Sequence, residues 1–245
     1  PNIVRYRVAG LRRNSKNQIE IKNKVIAKIS RSEVASKFMA PAPENLLNKL
    51  LEEKSITREQ AQLAAVVPMA DDITVEADSG GHTDNRPLVT LLPAIITLRE
   101  QIQEQHKYSH NIRVGAAGGI GTPASALAAF MMGAAYVVTG SVNQACVEAA
   151  ASDHSKGLLA EAEMADVIMA PAADMFEMGV ELQVLKRGTL FPMRAKKLYE
   201  LYKNYESIEE IPLPERQKLE QQVFCNSLEE IWIQTKKHFY ERDPR

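Results

Sequence analysis

The chain has few cysteines, no long apolar run and no excess charge of either sign. Its 245 residues include two cysteines, Cys146 and Cys225, which form neither a metal-binding spacing nor a disulfide framework, so we expect a reducing compartment, the cytoplasm. No apolar run reaches the roughly 20 residues that a membrane-spanning helix needs. Because 30 basic residues nearly balance 31 acidic ones, we expect binding to neither nucleic acid nor an anionic membrane.

The chain has the composition of an ordinary globular protein. Its 45% hydrophobic and 25% charged residues exclude the disordered, collagenous and disulfide-scaffold classes. The length is close to the roughly 250 residues of one (β/α)₈ barrel. The first residue is Pro1 rather than Met, and a strand-like segment begins directly after it. We therefore expect this sequence to be a piece of a longer protein.

The N-terminal part predicts a hairpin and then a first strand–helix unit. Ile3–Val8 alternates apolar residues with arginine, and a polar stretch separates it from Ile19–Ile21, which suggests two paired strands. Val25–Ile29 has the composition of a short buried strand. Ser30 is the predicted N-cap of a helix over Arg31–Phe38.

Three further strand–helix units are predicted. Two helices precede them, one with leucines at helical spacing over Leu46–Leu51 and one that begins with a capping box of Thr57 and Gln60. Strands that alternate with helices across short loops indicate a parallel sheet covered by helices. The three strands are Ile73–Ala77, Ile112–Ala116 and Tyr136–Thr139, and the helices after them run over Leu88–Gln103, to about Met132 and to Ala149.

Two successive strands end in glycine before a helix, at Gly118-Gly119 and at Gly140-Ser141. Free backbone N–H groups at such helix starts bind anions, and barrel enzymes commonly hold a phosphate there. The alternative is that these glycines only turn a strand into a helix. A dinucleotide fingerprint is disfavoured, although Gly119 begins a G-x-G-x-x-A match, because Gly140-Ser141 stands where an acidic residue should bind the ribose.

The segment Asp78–Asp84, DSGGHTD, is the second candidate site. Gly80 and Gly81 allow the backbone to approach a flat ligand closely, and the His82 imidazole suits proton transfer near neutral pH. The alternative is a solvated loop histidine that pairs with Asp78 or Asp84. A metal site is disfavoured, because the other histidines show no ligand spacing with His82.

Lys28 is the third candidate, because a lysine inside an apolar strand is costly to bury without a partner. Its ammonium group either extends to the rim of the sheet or meets an anionic ligand there. The sequence leaves both interpretations open.

Five segments, in order along the chain, match the motifs of one family. Together they resemble the PfaD-type flavoproteins, which are the trans-acting enoyl reductases of polyketide and polyunsaturated fatty acid synthases and relatives of nitronate monooxygenases. One departure is that the wider superfamily has E-A-G-G-H where this chain has DSGGH, which fits the synthase-associated branch better. The segments are Val25–Ala42, Val75–Pro87, Ala116–Gly121, Val138–Ala145 and Leu185–Pro192.

The resemblance implies an FMN-binding barrel and assigns roles to the candidate residues. It implies that the backbone around Gly118, Gly119, Gly140 and Ser141 holds the FMN phosphate. It also implies that Gly80 and Gly81 lie close to the flavin, that His82 lies near its reactive face, and that Lys28 faces the cofactor.

The expected function is FMN-dependent reduction of an α,β-unsaturated thioester on an acyl carrier protein, with NADPH as reductant. His82 would be the proton donor or oxyanion partner, and Lys28 an electrostatic helper. The alternatives are a nitronate monooxygenase-like flavin oxidase and a non-catalytic segment that docks on a synthase. The expected partners are the carrier-bound enoyl thioester and other synthase modules.

The expected fold is the C-terminal half of a TIM (β/α)₈ barrel with a helical extension. Only four strand–helix units can be counted where barrel closure needs eight, so we expect the first four strands in a preceding segment or another chain. Residues 1–150 would form the FMN-binding barrel portion. Residues 151–245, which show no convincing strand, would form a helical substrate- or partner-binding extension.

Overall fold

The computed structural model describes residues 1–244 of the chain. It begins with helix α1, Asn2–Ala9, so the strand predicted over Ile3–Val8 is wrong. Val4, Arg7 and Val8 form the buried side of this helix at the i, i+3, i+4 spacing. The strand prediction fails because it assigns Arg7 to an exposed face, whereas Arg7 is fully buried.

Arg7 is buried because each part of its guanidinium has a partner. Its Nη1 lies 2.5 Å from Asp71 Oδ2, and its Nε and Nη2 donate to the Pro68 carbonyl at 3.2 and 2.9 Å. Asp71 also accepts the backbone N–H of Val25 at 3.0 Å. Burial alone would raise the pKa of Asp71, but hydrogen bonds from Arg7 and Val25 and the charges of Arg7 and Lys24 lower it below its usual value.

A short antiparallel hairpin follows α1. It consists of β1, Leu11–Arg13, and β2, Ile19–Ile21, with Leu11 opposite Ile21. The predicted hairpin is therefore present, but its first strand lies after α1 rather than within it.

The first strand–helix unit consists of β3, Ile26–Ile29, and α2, Ser32–Met39. Both elements are as predicted, but the N-cap is not. Arg31 occupies the N-cap position and no side chain caps the helix. The Ser30 hydroxyl instead donates a hydrogen bond to the Asp84 carboxylate.

Helices α3, Glu44–Glu52, and α4, Arg58–Ala64, confirm the two helices predicted next. The capping box of Thr57 and Gln60 is also present, with both reciprocal hydrogen bonds formed. These helices pack with α1 and β1 around a small apolar core beside the central sheet.

The remaining strands and helices up to residue 161 confirm the predicted alternation, with two differences. A two-residue strand over Gly81–His82 was not predicted. The predicted helix to Ala149 is only one turn long, α7, and a separate helix, α8, follows it. The elements are β4 Asp72–Glu76, β5 Gly81–His82, α5 Leu88–His106, β6 Arg113–Ala117, α6 Pro123–Met131, β7 Val137–Val138, α7 Ser141–Gln144 and α8 Asp153–Ala160.

Four parallel strands form the central sheet in the order β3–β4–β6–β7. Lys28 lies opposite Thr74, and Thr74 lies opposite Gly115. Aliphatic residues on one face pack under α2 and α5 into the main core, whereas the other face is open, since Ile26 is 65% exposed there. The structure is therefore α/β with a parallel sheet, and closure of a barrel stays a prediction.

The chain divides into two compact units, Pro1–Glu161 and Ala162–Arg245. The second unit contains two antiparallel strands, β8 and β9, so the expectation of helices alone after residue 150 is wrong. Two 3-10 turns, Met164–Asp166 and Phe176–Met178, and a π-helical turn at Leu219–Phe224 also lie in this unit. Its regular elements are β8 Val167–Pro171, β9 Glu181–Leu185, α9 Phe191–Asn204, α10 Leu213–Lys218 and α11 Leu228–Arg242.

Within residues 1–244, no helix combines the length and apolar character needed to cross a bilayer.

Candidate functional site

The carboxyl ends of the four parallel strands meet at one edge of the sheet, and the sequence motifs lie there. The loop after β4 contains Gly80, Gly81 and His82, while the loops after β6 and β7 contain Gly118 and Ser141. Because parallel strands share one direction, these loops are neighbours although they are far apart in sequence. In α/β proteins, ligands commonly bind at this edge.

Gly118 brings the loop after β6 directly against the end of β4. Its φ is +92°, and a Cβ placed on it would lie 2.7 Å from the carbonyl oxygens of both Ala77 and Asp78. The Ala77 N–H also donates to the Ala117 carbonyl at 2.8 Å. A side chain at this position would therefore separate the two loops, and only glycine permits the observed contact.

The third loop joins them through Gly80 and Ser141. A Cβ at Gly80 would lie 3.6 Å from Ser141 Oγ, so the loops after β4 and β7 are also close. At Gly119 and Gly140, a Cβ would meet no atom within 4 Å, which leaves the backbone there accessible. The structure thus brings together Gly80, Gly118 and Ser141, as the glycine pattern predicts.

The loop that carries His82 is fixed at two places. The Asp78 N–H donates to the Arg86 carbonyl at 2.8 Å and closes the base of the loop. Near its far end, Asp84 accepts the hydrogen bond from Ser30 at the end of β3. The loop is therefore tied both to itself and to the neighbouring strand.

His82 is exposed on this loop. Among residues 1–244, no hydrogen bond or ion pair reaches its imidazole, which is free for an external partner. Asp84, one of the two acidic partners considered from the sequence, binds Ser30 instead. The imidazole is therefore available, but none of the described residues orients it by a hydrogen bond or ion pair.

Lys28 lies on the open face of the sheet, with its side chain 61% exposed. Its Nζ is 2.7 Å from Glu76 Oε1 on the adjacent strand. The side chain therefore reaches the rim, as one of the two interpretations predicts, and it meets a protein carboxylate there. An anionic ligand would have to compete with or join Glu76.

Two further polar pairs lie below Lys28 and Glu76 on the same face. Thr74 Oγ1 and the Tyr136 hydroxyl form a hydrogen bond of 2.9 Å. Burial raises the pKa of Tyr136 above its usual value, and the hydrogen bond with Thr74 offsets only part of that rise. The Tyr136 ring occupies the space that a Cβ on Gly115 would fill. At the amino edge of the sheet, Arg113 binds Asp72 in a bidentate pair at 2.6 and 2.8 Å.

Sequence reasoning missed Glu76, Thr74 and Asp72 as a set. They occupy alternate positions in the segment DITVE, and alternate residues of a strand point to one face. That period-two pattern was the signal that could have predicted a polar face, the same face on which Lys28 lies. Ser79, whose hydroxyl is buried and has no partner in the described part of the chain, gave no such signal.

The fold and the edge geometry define a class: an α/β protein with a parallel sheet and with glycine-rich loops that meet at the carboxyl ends of its strands, where the candidate site lies. Comparison with known proteins shows that the chain is similar to proteins of fatty acid and polyketide biosynthesis. The chain is 52% identical over 244 residues to a polyunsaturated fatty acid synthase subunit of Thraustochytrium sp., covering 99% of the chain and 16% of that protein. It is 52% identical over 239 residues to "Polyketide biosynthesis protein PksE" of Bacillus subtilis, covering 98% of the chain and 31% of that protein.

A solved structure matches the same length of chain. The enoyl reductase domain of MlnA, from the macrolactin biosynthesis cluster of Bacillus amyloliquefaciens, is 40% identical with a TM-score of 0.86. The match covers 99% of this chain and 54% of that one, so the chain spans about half of the solved domain and a smaller share of the curated relatives.

Residues 205–245 match a family model described as "[Acyl-carrier-protein] S-malonyltransferase, inserted helical domain". This segment contains α10 and α11 and lies within the second compact unit. The match covers a small part of the chain. Taken together, the relatives of the chain are proteins of polyketide and polyunsaturated fatty acid synthesis, and a structural neighbour is an enoyl reductase domain.

Proposed function

We propose that this chain is part of a PfaD-type, FMN-dependent enoyl reductase that acts on an α,β-unsaturated thioester carried by an acyl carrier protein. The observation that carries the proposal is the meeting of three glycine-containing loops at the carboxyl edge of the sheet. The match to an enoyl reductase domain over 99% of the chain supports this choice among flavin chemistries.

The residues present fit a flavin mononucleotide. Gly119 and Gly140 offer backbone without side-chain obstruction, and the buried Ser79 hydroxyl lacks a partner within residues 1–244. In the proposal, the backbone of Gly118, Gly119, Gly140 and Ser141 holds the phosphate. When bound, FMN supplies the transfer of hydride equivalents from NADPH to the substrate β-carbon.

Gly80 and Gly81 form the part of the loop that approaches the flavin ring. The loop's ties, Asp78 to Arg86 and Asp84 to Ser30, hold this backbone in place. A closely packed, fixed backbone excludes water from the ligand and limits its orientations.

His82 is the proposed proton donor to the α-carbon of the substrate. Its imidazole is exposed and free of partners within the part of the chain that the structure describes, so it can face a substrate at the same edge. Lys28 supplies positive charge near the developing enolate, and Glu76 holds its ammonium group at the rim. General acid catalysis of this kind contributes roughly 10²- to 10⁴-fold.

The rest of the proposed protein includes the strands that cover the open sheet face. A parallel sheet normally has both faces covered, and here Lys28, Ile26 and their neighbours are exposed. The chain spans 54% of the MlnA domain, which leaves length for further strands. A preceding segment or a second chain that completes a barrel is part of this proposal.

The experiment is performed on the complete polypeptide in which this sequence occurs. We expect bound FMN by absorbance and mass, and NADPH-dependent reduction of an enoyl thioester on its carrier protein. His82→Ala should retain FMN and lose about 10²- to 10⁴-fold in turnover. Unchanged turnover would refute the role of His82. Oxygen consumption with a nitroalkane and no NADPH requirement would instead support an oxidase, and absence of flavin would support a docking segment.

A further inference from the structure

The Ser79 hydroxyl is buried and has no hydrogen-bond partner within residues 1–244. Buried hydroxyl groups nearly always have a partner, because an unmade hydrogen bond in a solvent-excluded place is costly. Other serine hydroxyls near this edge and on the adjacent helix do have partners. Ser30 donates to Asp84, and Ser36 donates to the Glu33 carbonyl at 3.1 Å.

Ser79 lies where the three strand-end loops meet. The carbonyl of Asp78, immediately before it, lies against Gly118 of the loop after β6. Gly80, immediately after it, lies against Ser141 of the loop after β7. Ser79 is therefore flanked on both sides by the residues that the proposed function assigns to the phosphate.

The backbone at Ser79 has little freedom to relieve the missing hydrogen bond. The Asp78 N–H is bound to Arg86, and the close approach at Gly118 fixes the Asp78 carbonyl. An alanine would fill the same space without burying a hydroxyl. A ligand that accepts a hydrogen bond from the hydroxyl would explain a serine in this place.

We infer that the Ser79 hydroxyl donates a hydrogen bond to a phosphate oxygen of the bound flavin nucleotide. This inference rests on the proposed function, and it adds a side-chain donor to a phosphate site otherwise made of backbone N–H groups and Ser141. Hydrogen bonds to charged groups are stronger than those between neutral groups. Loss of this bond should weaken binding of the phosphorylated ligand specifically.

The test compares Ser79→Ala with the wild type in the complete polypeptide after flavin removal, titrated with FMN and separately with riboflavin, which lacks the phosphate. We expect Ser79→Ala to bind FMN about 10- to 100-fold more weakly and to bind riboflavin unchanged. The unfolding midpoint of the flavin-free variant should be equal to or above that of the wild type. Ser36→Ala, the matched control, should lose no FMN affinity.

The possible failures are distinguishable. If the wild type binds no FMN, the proposed function and this inference both fail. If the wild type binds FMN and Ser79→Ala binds it equally well, only the inference fails, and a lower midpoint of the flavin-free variant would assign the hydroxyl to a partner within the protein. An equal loss for FMN and riboflavin would overturn the phosphate as the acceptor.

Discussion

The two edges of the parallel sheet carry different kinds of residues. At the amino edge, charges are paired: the buried Arg7 binds Asp71, and the buried Asp72 binds the exposed Arg113. At the carboxyl edge, glycines bring loops together and His82 is exposed, and the Ser79 hydroxyl is buried with no partner among residues 1–244. In barrel-type α/β proteins, the amino edge serves stability and the carboxyl edge serves ligands. The difference predicts which substitutions alter folding and which alter binding.

The largest effect is expected at the amino edge, from Arg7→Met. The substitution removes the buried cation of Asp71, leaves only the exposed Lys24 beside that carboxylate, and removes both donors to the Pro68 carbonyl. Removal of one partner of a buried ion pair costs about 3–5 kcal/mol. Urea unfolding of the complete polypeptide measures the loss.

The matched control is Arg12→Met, because Arg12 pairs with Glu20 on the exposed hairpin. We expect no measurable change in the free energy of unfolding there. FMN affinity of the folded Arg7→Met protein should stay unchanged. A tenfold weaker flavin affinity in that variant would show that the two edges are not separate in function.

The next largest effect is expected at the carboxyl edge, from Gly118→Ala. The added Cβ meets two carbonyl oxygens at 2.7 Å, and a φ of +92° is strained for alanine. Such strain costs about 1–3 kcal/mol, and separation of the two loops should abolish detectable FMN binding. Flavin titration and thermal unfolding measure the two consequences.

Gly157→Ala is the control for this substitution, because Gly157 lies inside α8 with no atom within 4 Å of a new Cβ. Alanine in a helix interior should raise stability by about 0.5–1 kcal/mol. FMN binding by Gly118→Ala at wild-type affinity would disprove the role of the close approach in the site.

A smaller effect is the pH dependence of stability that Asp71 introduces. Its pKa is lower in the folded protein than in the unfolded chain, so its contribution is complete above the unfolded pKa of about 4 and is lost as the pH falls through the folded value. The groups facing Asp71 are Arg7, Lys24 and His110. We therefore expect the unfolding midpoint of the wild type to fall steeply below about pH 4.

His110 makes the stability of the protein depend on pH in a second, higher pH range. Burial lowers its pKa, so its contribution falls as the pH drops below its usual value of about 6.5. Unfolding midpoints measured from pH 3 to pH 7 should show a weaker acid dependence in Asp71→Asn below about pH 4. The fall below about pH 6.5 should be larger in this variant, because the Asp71 charge raises the pKa of His110 and its loss lowers that pKa further. Identical profiles for Asp71→Asn and the wild type would contradict the assignment to Asp71.

The sequence predicted the elements whose local pattern agrees with their environment. The four parallel strands and the capping box of Thr57 follow from apolar runs and from hydrogen bonds between residues three apart. The site loops were predicted because glycine at a strand end has a local signature. The closeness of Gly118 to Asp78 is the tertiary consequence.

Other features could not be predicted because long-range partners decide them. The local sequence predicts that Arg7 faces solvent, but its pairing with Asp71, far along the chain, makes burial possible. Ser30 has the local pattern of an N-cap, but Asp84 offers its hydroxyl a different partner. Strands β8 and β9 lie in a segment with many charged and methionine residues, and their mutual pairing overrides that weak signal.

The smallest effect is expected from the tie between Ser30 and Asp84, which joins the His82 loop to β3. Ser30→Ala and Asp84→Ala should each reduce enoyl turnover about 2- to 10-fold, the equivalent of one net hydrogen bond, with little change in the unfolding midpoint. Because both substitutions break the same contact, the double variant should be no worse than either single variant. Ser30→Thr, which keeps the hydroxyl, should restore turnover. Additive losses in the double variant would mean that the two residues act separately, and the carboxyl edge would then lack the tie that holds its histidine loop in place.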